Sequence, residues 1–245
     1  MTRNGVQFSG CTPQPMGTIM HFVDFDNDHP VAAAFREMVQ TPEFPCVGAK
    51  AALAKEQMDI LVARDITSGW DDLRIHPALL EVIDRYITDN RIFRTLVVIF
   101  EQSPALSEDA FEDALWQRVQ SLADKDDWKG FPVDDTVSPD PDSPHFSLSF
   151  GGKAFFVVGL HPASSRPARR FAHPALVFNL HDQFEQLRAE GRYEKLRASI
   201  LERDVALAGN ENPMLARHGE MSEARQYSGR PVDNDWQCPY NRRAA

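Results

Sequence analysis

The stretch Gly159-Leu160-His161-Pro162 closes an apolar run, and the loop after it delivers Arg166, Arg169 and Arg170. An imidazole at the mouth of a buried strand can bind a metal or move a proton near neutral pH. Arginine forks suit carboxylates and phosphates, the two propionates of a haem among them. The same residues also read as a capped strand end with a solvated basic loop. Four histidines, His145, His161, His173 and His181, fall at strand ends or loops. His145, His161 and a carboxylate such as Asp182 could form a two-histidine, one-carboxylate iron site, and His181 could join such a set. Cys46 follows Phe44-Pro45 and precedes a predicted helix. A helix N-terminus lowers a thiol pKa, which suits a nucleophile or an axial haem ligand. A small buried hydrophobe is the plainer role for a lone cysteine.

Several chemistries are absent from the pattern. There is no His-Glu-x-x-His, no Gly-x-Ser-x-Gly and no phosphate-binding glycine loop. Cys11, Cys46 and Cys238 are far apart and odd in number, so neither a disulfide framework nor a Cys-x-x-Cys zinc site is expected. Covalent c-type haem attachment is excluded for want of Cys-x-x-Cys-His. A net charge of −10 argues against sequence-independent nucleic-acid binding. No apolar run is long enough to span a membrane, and the first residues lack the apolar core of a signal peptide. A reducing cytoplasm is the expected compartment.

The elements that must position these residues follow from periodicity. Residues 1–19 read as an irregular tail and 20–245 as one domain. Helices are predicted over 30–40, after Cys46, over 77–88, from an N-cap at Ser107 to about Asp124, and over 181–207 with a break near Gly191. Strands are predicted at 58–63, 94–102, 145–150, 154–160 and 175–180. Gly151-Gly152 joins two of them as a hairpin. Residues 125–144, rich in proline and aspartate, form a long loop. Residues 209–245 carry Tyr227, Trp236, Cys238 and Tyr240 and read as an ordered cap. The sum is an α/β (α+β) domain, with a mainly antiparallel sheet covered by helices.

Together "EFPCVGAKAAL", "LWQRVQSL", "SPDPDSPHFSLSFGGKAFFVVGLHPASSRPARRF", "LVFNLHDQFEQLR", "NPML" and "SEARQYSGRPVDNDWQCPY" resemble the YqcI/YcgG family. The branch they look most like contains the guanitoxin-type haem-dependent N-hydroxylases. The resemblance runs from about residue 43 to 240. It implies non-covalent haem b, with histidine on the iron, and oxidation of an amine or guanidine nitrogen in an amino-acid-like substrate. O2 and an external electron donor are then required, because no flavin or nicotinamide fingerprint occurs in the chain.

On that reading His161 is the first candidate for the iron and His76, in "DDLRIHPALLEV", the second. Cys46 is third. Arg166, Arg169 and Arg170 would bind the propionates. Arg225, Tyr227 and Arg230 would close the pocket, and Glu220 and Glu223 would attract a cationic substrate. Two other readings stay open: a non-haem iron or zinc enzyme built on His145, His161 and His181, and a non-catalytic haem carrier or sensor. No nucleic acid or membrane partner is expected, and a homodimer is left open.

Overall fold

The computed structural model describes residues 23–89, 91–217 and 219–241. The tail expected over 1–19, and with it Cys11, lies outside them, as do His21 and His218. One five-stranded sheet organises the chain in the order β1-β2-β5-β4-β3. The strands are β1 (Met58–Ala63), β2 (Thr95–Phe100), β3 (Leu148–Phe150), β4 (Lys153–Leu160) and β5 (Ala175–Leu180). β1 and β2 run parallel, and the other three pairings are antiparallel. Every residue of the interior strand β2 is buried. The fold is therefore α+β with a mainly antiparallel sheet.

Helices cover both faces. On one side lie α3 (Asp72–Asp89) and α4 (Glu108–Trp128), together with the 219–241 segment and its short helix α7 (Ala224–Tyr227). On the other lie α1 (Pro30–Gln40) and α2 (Val47–Ala54). The helical hairpin α5 (Asp182–Ala189) and α6 (Tyr193–Ala208) joins that second side through α6, which packs against α2. Ser107 caps α4 by accepting the Ala110 N–H at 3.2 Å. Gly191, with φ of 66°, makes the turn between α5 and α6.

Strand alternation decides which side chains meet. On β4, Phe155 and Val157 join the core under α3 and α4, whereas Leu160 joins the opposite core. Gly159 has the first orientation. A Cβ there would lie 2.8 Å from both Phe111 and Leu115, so glycine lets α4 press onto the strand. On β5, Leu176, Phe178 and Leu180 face α3 and α4. Val177 and Asn179 face the other way, toward α2 and α6.

The strand expected over 145–150 is shorter than its pattern suggests. Only Leu148–Phe150 pairs with β4, through a two-residue turn at Gly151 and Gly152 with φ of 57° and 76°. Phe146 bridges instead to Ser138, and the Ser147 hydroxyl donates to the Phe155 carbonyl. Helix α3 begins earlier than Pro77, at Asp72, because Asp72 is fully buried and paired to Arg118 and Lys125 of α4. Helix α4 continues to Trp128, which shortens the expected loop from its N-terminal side. No helix among the described residues is long and apolar enough to cross a membrane.

Candidate functional site

A cavity of about 310 Å³ lies between the sheet and the helices α1, α2, α5 and α6. That volume is at the lower end of small-molecule sites, roughly 300–1,000 Å³. Its floor is Phe156, Val158 and Val177 of the sheet. Its roof is α6, where Tyr193, Leu196, Arg197, Ile200, Leu201 and Asp204 recur at helical spacing. The four apolar members of that stripe are only half-buried. An apolar stripe turned inward yet incompletely covered is what a helix shows when it faces a cavity rather than packed core.

Polar groups enter the wall at a few points. Cys46 caps α2, its Sγ accepting the Ala49 N–H at 3.4 Å. Burial raises its thiol pKa, while the amides of Ala49 and Gly48 and the nearby charge of Arg169 work in the opposite direction. Arg166 forks onto Asp204 of α6, with Asn210 as a further partner. At the end of β5, His181 Nε2 lies 3.4 Å from Glu223 Oε1. Glu223 is buried and also accepts the hydroxyls of Ser147 at 3.0 Å and Tyr227 at 3.3 Å. Burial, and then the Glu223 charge, hold the Tyr227 phenol well above its usual range, so it stays a neutral donor.

The residues singled out from sequence are divided by this geometry. Cys46, Arg166, Arg169 and Glu223 line the cavity. Tyr227 stands behind Glu223 and touches the cavity wall through Phe156, with ring centres 5.4 Å apart. His161 has the parity of Phe155 and Val157, and so lies on the opposite face of the sheet. It is fully buried and stacked on Phe111 of α4 at 4.2 Å, and among the described residues neither ring nitrogen has a hydrogen-bond partner. Burial lowers its pKa, Glu108 pulls it back up, and Arg169 lowers it further. His76 is buried between α3 and α4, its Nε2 2.9 Å from Asp126. The structure thus brings neither preferred histidine to the cavity.

The arginine loop is largely engaged with the protein itself. Arg169 donates to the carbonyls of Gly159, Tyr227 and Gln226, and burial lowers its pKa to about 10. Arg170 donates to the carbonyls of Ser164 and Ser165. The C-terminal charges separate too. Arg225 donates to the carbonyls of Asp233, Asn234 and Trp236, and Arg230 pairs with Glu112 and Asp109. Glu220 is exposed beside Arg217. Arg225 and Glu220 share a separate polar recess with Trp236.

The polar wall residues that the sequence reading does not bring to this pocket include Asn179, His181 and Arg197. Asn179 was visible as the one polar residue inside the β5 run, and His181 follows it with the same parity. Arg197 was visible only as a charge in an otherwise apolar helical stripe. Among the described residues no group of three or more His, Cys, Asp or Glu could hold a metal ion. A non-haem site at His145, His161 and His181 therefore has no support in the side-chain arrangement. Asp182, its notional carboxylate, accepts the Tyr86 hydroxyl at 2.6 Å.

A haem makes different demands: one iron ligand, apolar walls and cations near its acids. Cys46 and His181 supply iron-binding atom types, the sheet and α6 supply the walls, and Arg166, Arg169, Arg188 and Arg197 stand at the wall. The donor set fits the group. No curated protein and no solved structure gives a significant match to the chain. A family model does match, over residues 35–241, and on that match the chain belongs to the YqcI/YcgG family.

Proposed function

We propose that the cavity binds haem b and that the protein is a haem-dependent monooxygenase. Its reaction is hydroxylation of an amine or guanidine nitrogen in an amino-acid-like substrate. The observation that carries this reading is the wall of the cavity. It is apolar on the sheet and α6 sides, with Cys46 at a helix N-terminus and the buried pair His181 and Glu223. When bound, the haem supplies activation of O2 with electrons from an external donor. Overall, one N–H becomes N–OH, and O2, two electrons and two protons are consumed with release of water.

The chain's own residues have definable work. Cys46 would hold the iron of a bound haem. The amides of Gly48 and Ala49 and the charge of Arg169 favour the thiolate form that such a ligand needs. Glu223 faces the substrate as a buried carboxylate and attracts its cationic end. A protonated nitrogen has no lone pair to react, and His181 beside Glu223 accepts the proton it must lose. Tyr227 and Ser147 hold Glu223 in place through their hydroxyls. The apolar floor excludes water from the reacting nitrogen.

The test starts with the absorption spectrum of the purified full chain. A band near 400 nm, about where ferric haem absorbs, is expected. Incubation with reductant, O2 and a panel of arginine, lysine and simple alkylamines should then add one oxygen to nitrogen, read by mass spectrometry. A protein without haem, or a haem protein that oxidises only a neutral carbon substrate, refutes the proposal.

A further inference from the structure

We infer that Arg197 is a carboxylate-binding residue of the cavity, reading a carboxylate carried by its occupant. The inference rests on the proposed function for the occupant's identity, but not for the residue's placement. Arg197 lies on α6 among Tyr193, Leu196, Ile200 and Leu201, which all line the cavity. Each other lining arginine already has protein acceptors. Arg166 has Asp204 and Asn210, Arg169 has three backbone carbonyls, and Arg188 has Glu185. Arg188 is also stacked over Tyr193, 4.3 Å from its ring centre. Among the described residues Arg197 has no hydrogen-bond or ion-pair partner, although it is half-buried against an apolar wall.

A guanidinium in such a place has lost part of its hydration without a counter-charge, and a planar fork is shaped for a carboxylate. The opposite sign is present at the same cavity in Glu223, already committed to Ser147, Tyr227 and His181. The wall thus offers a carboxylate for a cationic nitrogen and an unpaired guanidinium for an acid. That combination selects an α-amino acid over a simple amine. The acid can belong to a free amino acid or to a propionate of the haem, and the experiment separates these two sources.

The probes are L-arginine, L-lysine and their methyl esters, titrated calorimetrically into the full-length protein as purified. If the substrate's acid meets Arg197, the wild type binds acids about ten-fold or more tightly than esters. Arg197→Gln then lowers acid affinity by a similar factor, leaves ester affinity unchanged and no longer tells acid from ester. Arg197→Lys restores part of the discrimination, since it keeps the charge and loses the fork. If the acid is a propionate, Arg197→Gln instead loses haem several-fold faster to an apo-globin acceptor, with probe binding unaltered. Equal haem retention in wild type and Arg197→Gln, combined with no acid-specific loss of probe binding, overturns the assignment. A wild type without a haem band refutes the oxygenase reading, while the acid and ester titrations still judge Arg197 separately.

Discussion

Replacing His76 with alanine separates a structural from an iron-binding role for that histidine. His76 Nε2 and Asp126 Oδ1 are 2.9 Å apart, and both residues are sealed from solvent. Asp126 Oδ1 also accepts the Gly151 N–H at 2.8 Å. One buried carboxylate thereby ties α3 to α4 and pins the turn between β3 and β4. Leaving a buried hydrogen-bonding group short of one partner costs about 1–3 kcal/mol. Asp126 is sealed from solvent and keeps only the Gly151 amide, so the upper end, about 3 kcal/mol, is expected. For a chain of this size that corresponds to a fall in Tm of about 6–12 °C. The assay is thermal melting of the haem-free and haem-loaded protein, with absorption spectra of each. The expected result is the same drop in both forms and an unchanged haem spectrum at low temperature. Loss of the native haem spectrum, its recovery on adding imidazole and an unaltered Tm of the haem-free form would refute the reasoning and restore His76 as ligand.

Cys46→Ser should abolish a ferrous–CO band near 450 nm in favour of one near 420 nm, roughly the positions given by thiolate and imidazole ligation; a wild-type band already near 420 nm would place the iron on histidine. His161→Leu should keep haem and fold, since it removes a buried ring with two unpaired nitrogens. The same variant should flatten the acid side of the stability profile. His161 has a folded pKa below its ordinary value of 6.5, so its proton goes preferentially to the unfolded chain. The wild type then loses stability as pH falls below about 6.5 toward the folded pKa, and denaturant titrations at several pH values should show the slope only with His161 present. Arg169→Lys should destabilise the protein by at least roughly 1.5 kcal/mol, because one ammonium cannot reproduce the fork to three carbonyls. Urea midpoints no different from the wild type would show those contacts to be idle. Glu223→Gln should weaken binding of cationic amines and leave neutral isosteres unaffected; equal affinity for both in the variant and the wild type would remove Glu223 from the substrate site.

The strands were legible in the sequence because their apolar runs are bounded by strong turn signals, and Gly151-Gly152 set one register outright. Which face of β4 met which partner was not legible. Ala154 to Val158 is apolar throughout, because helices cover both sides of the sheet, and a strand buried on both faces does not alternate. Motif proximity placed His161 beside Arg166 and Arg169, whereas one step of strand parity turns the ring under Phe111 and leaves Leu160 toward the cavity. Parity counted outward from Gly159, whose missing Cβ marks the side where α4 approaches, would have separated His161 from Phe156 and Val158. Alternation within the β5 run separately puts Asn179 and His181 on one face.

The charged residues obey a different logic. Arg169, Arg225 and Arg230 look alike in sequence, yet Arg169 and Arg230 are absorbed by groups brought from distant segments and Arg225 by carbonyls of the loop that follows it. A cation becomes informative about ligands only when folding leaves it uncompensated. Sequence shows charges but not their compensation, which depends on contacts such as Arg166 with Asp204, distant along the chain. For Arg197 that compensation is lacking among the described residues, and the shortage falls at the wall of an apolar cavity. There a bound carboxylate gains more than it would at the solvated loop first suggested by the arginine cluster.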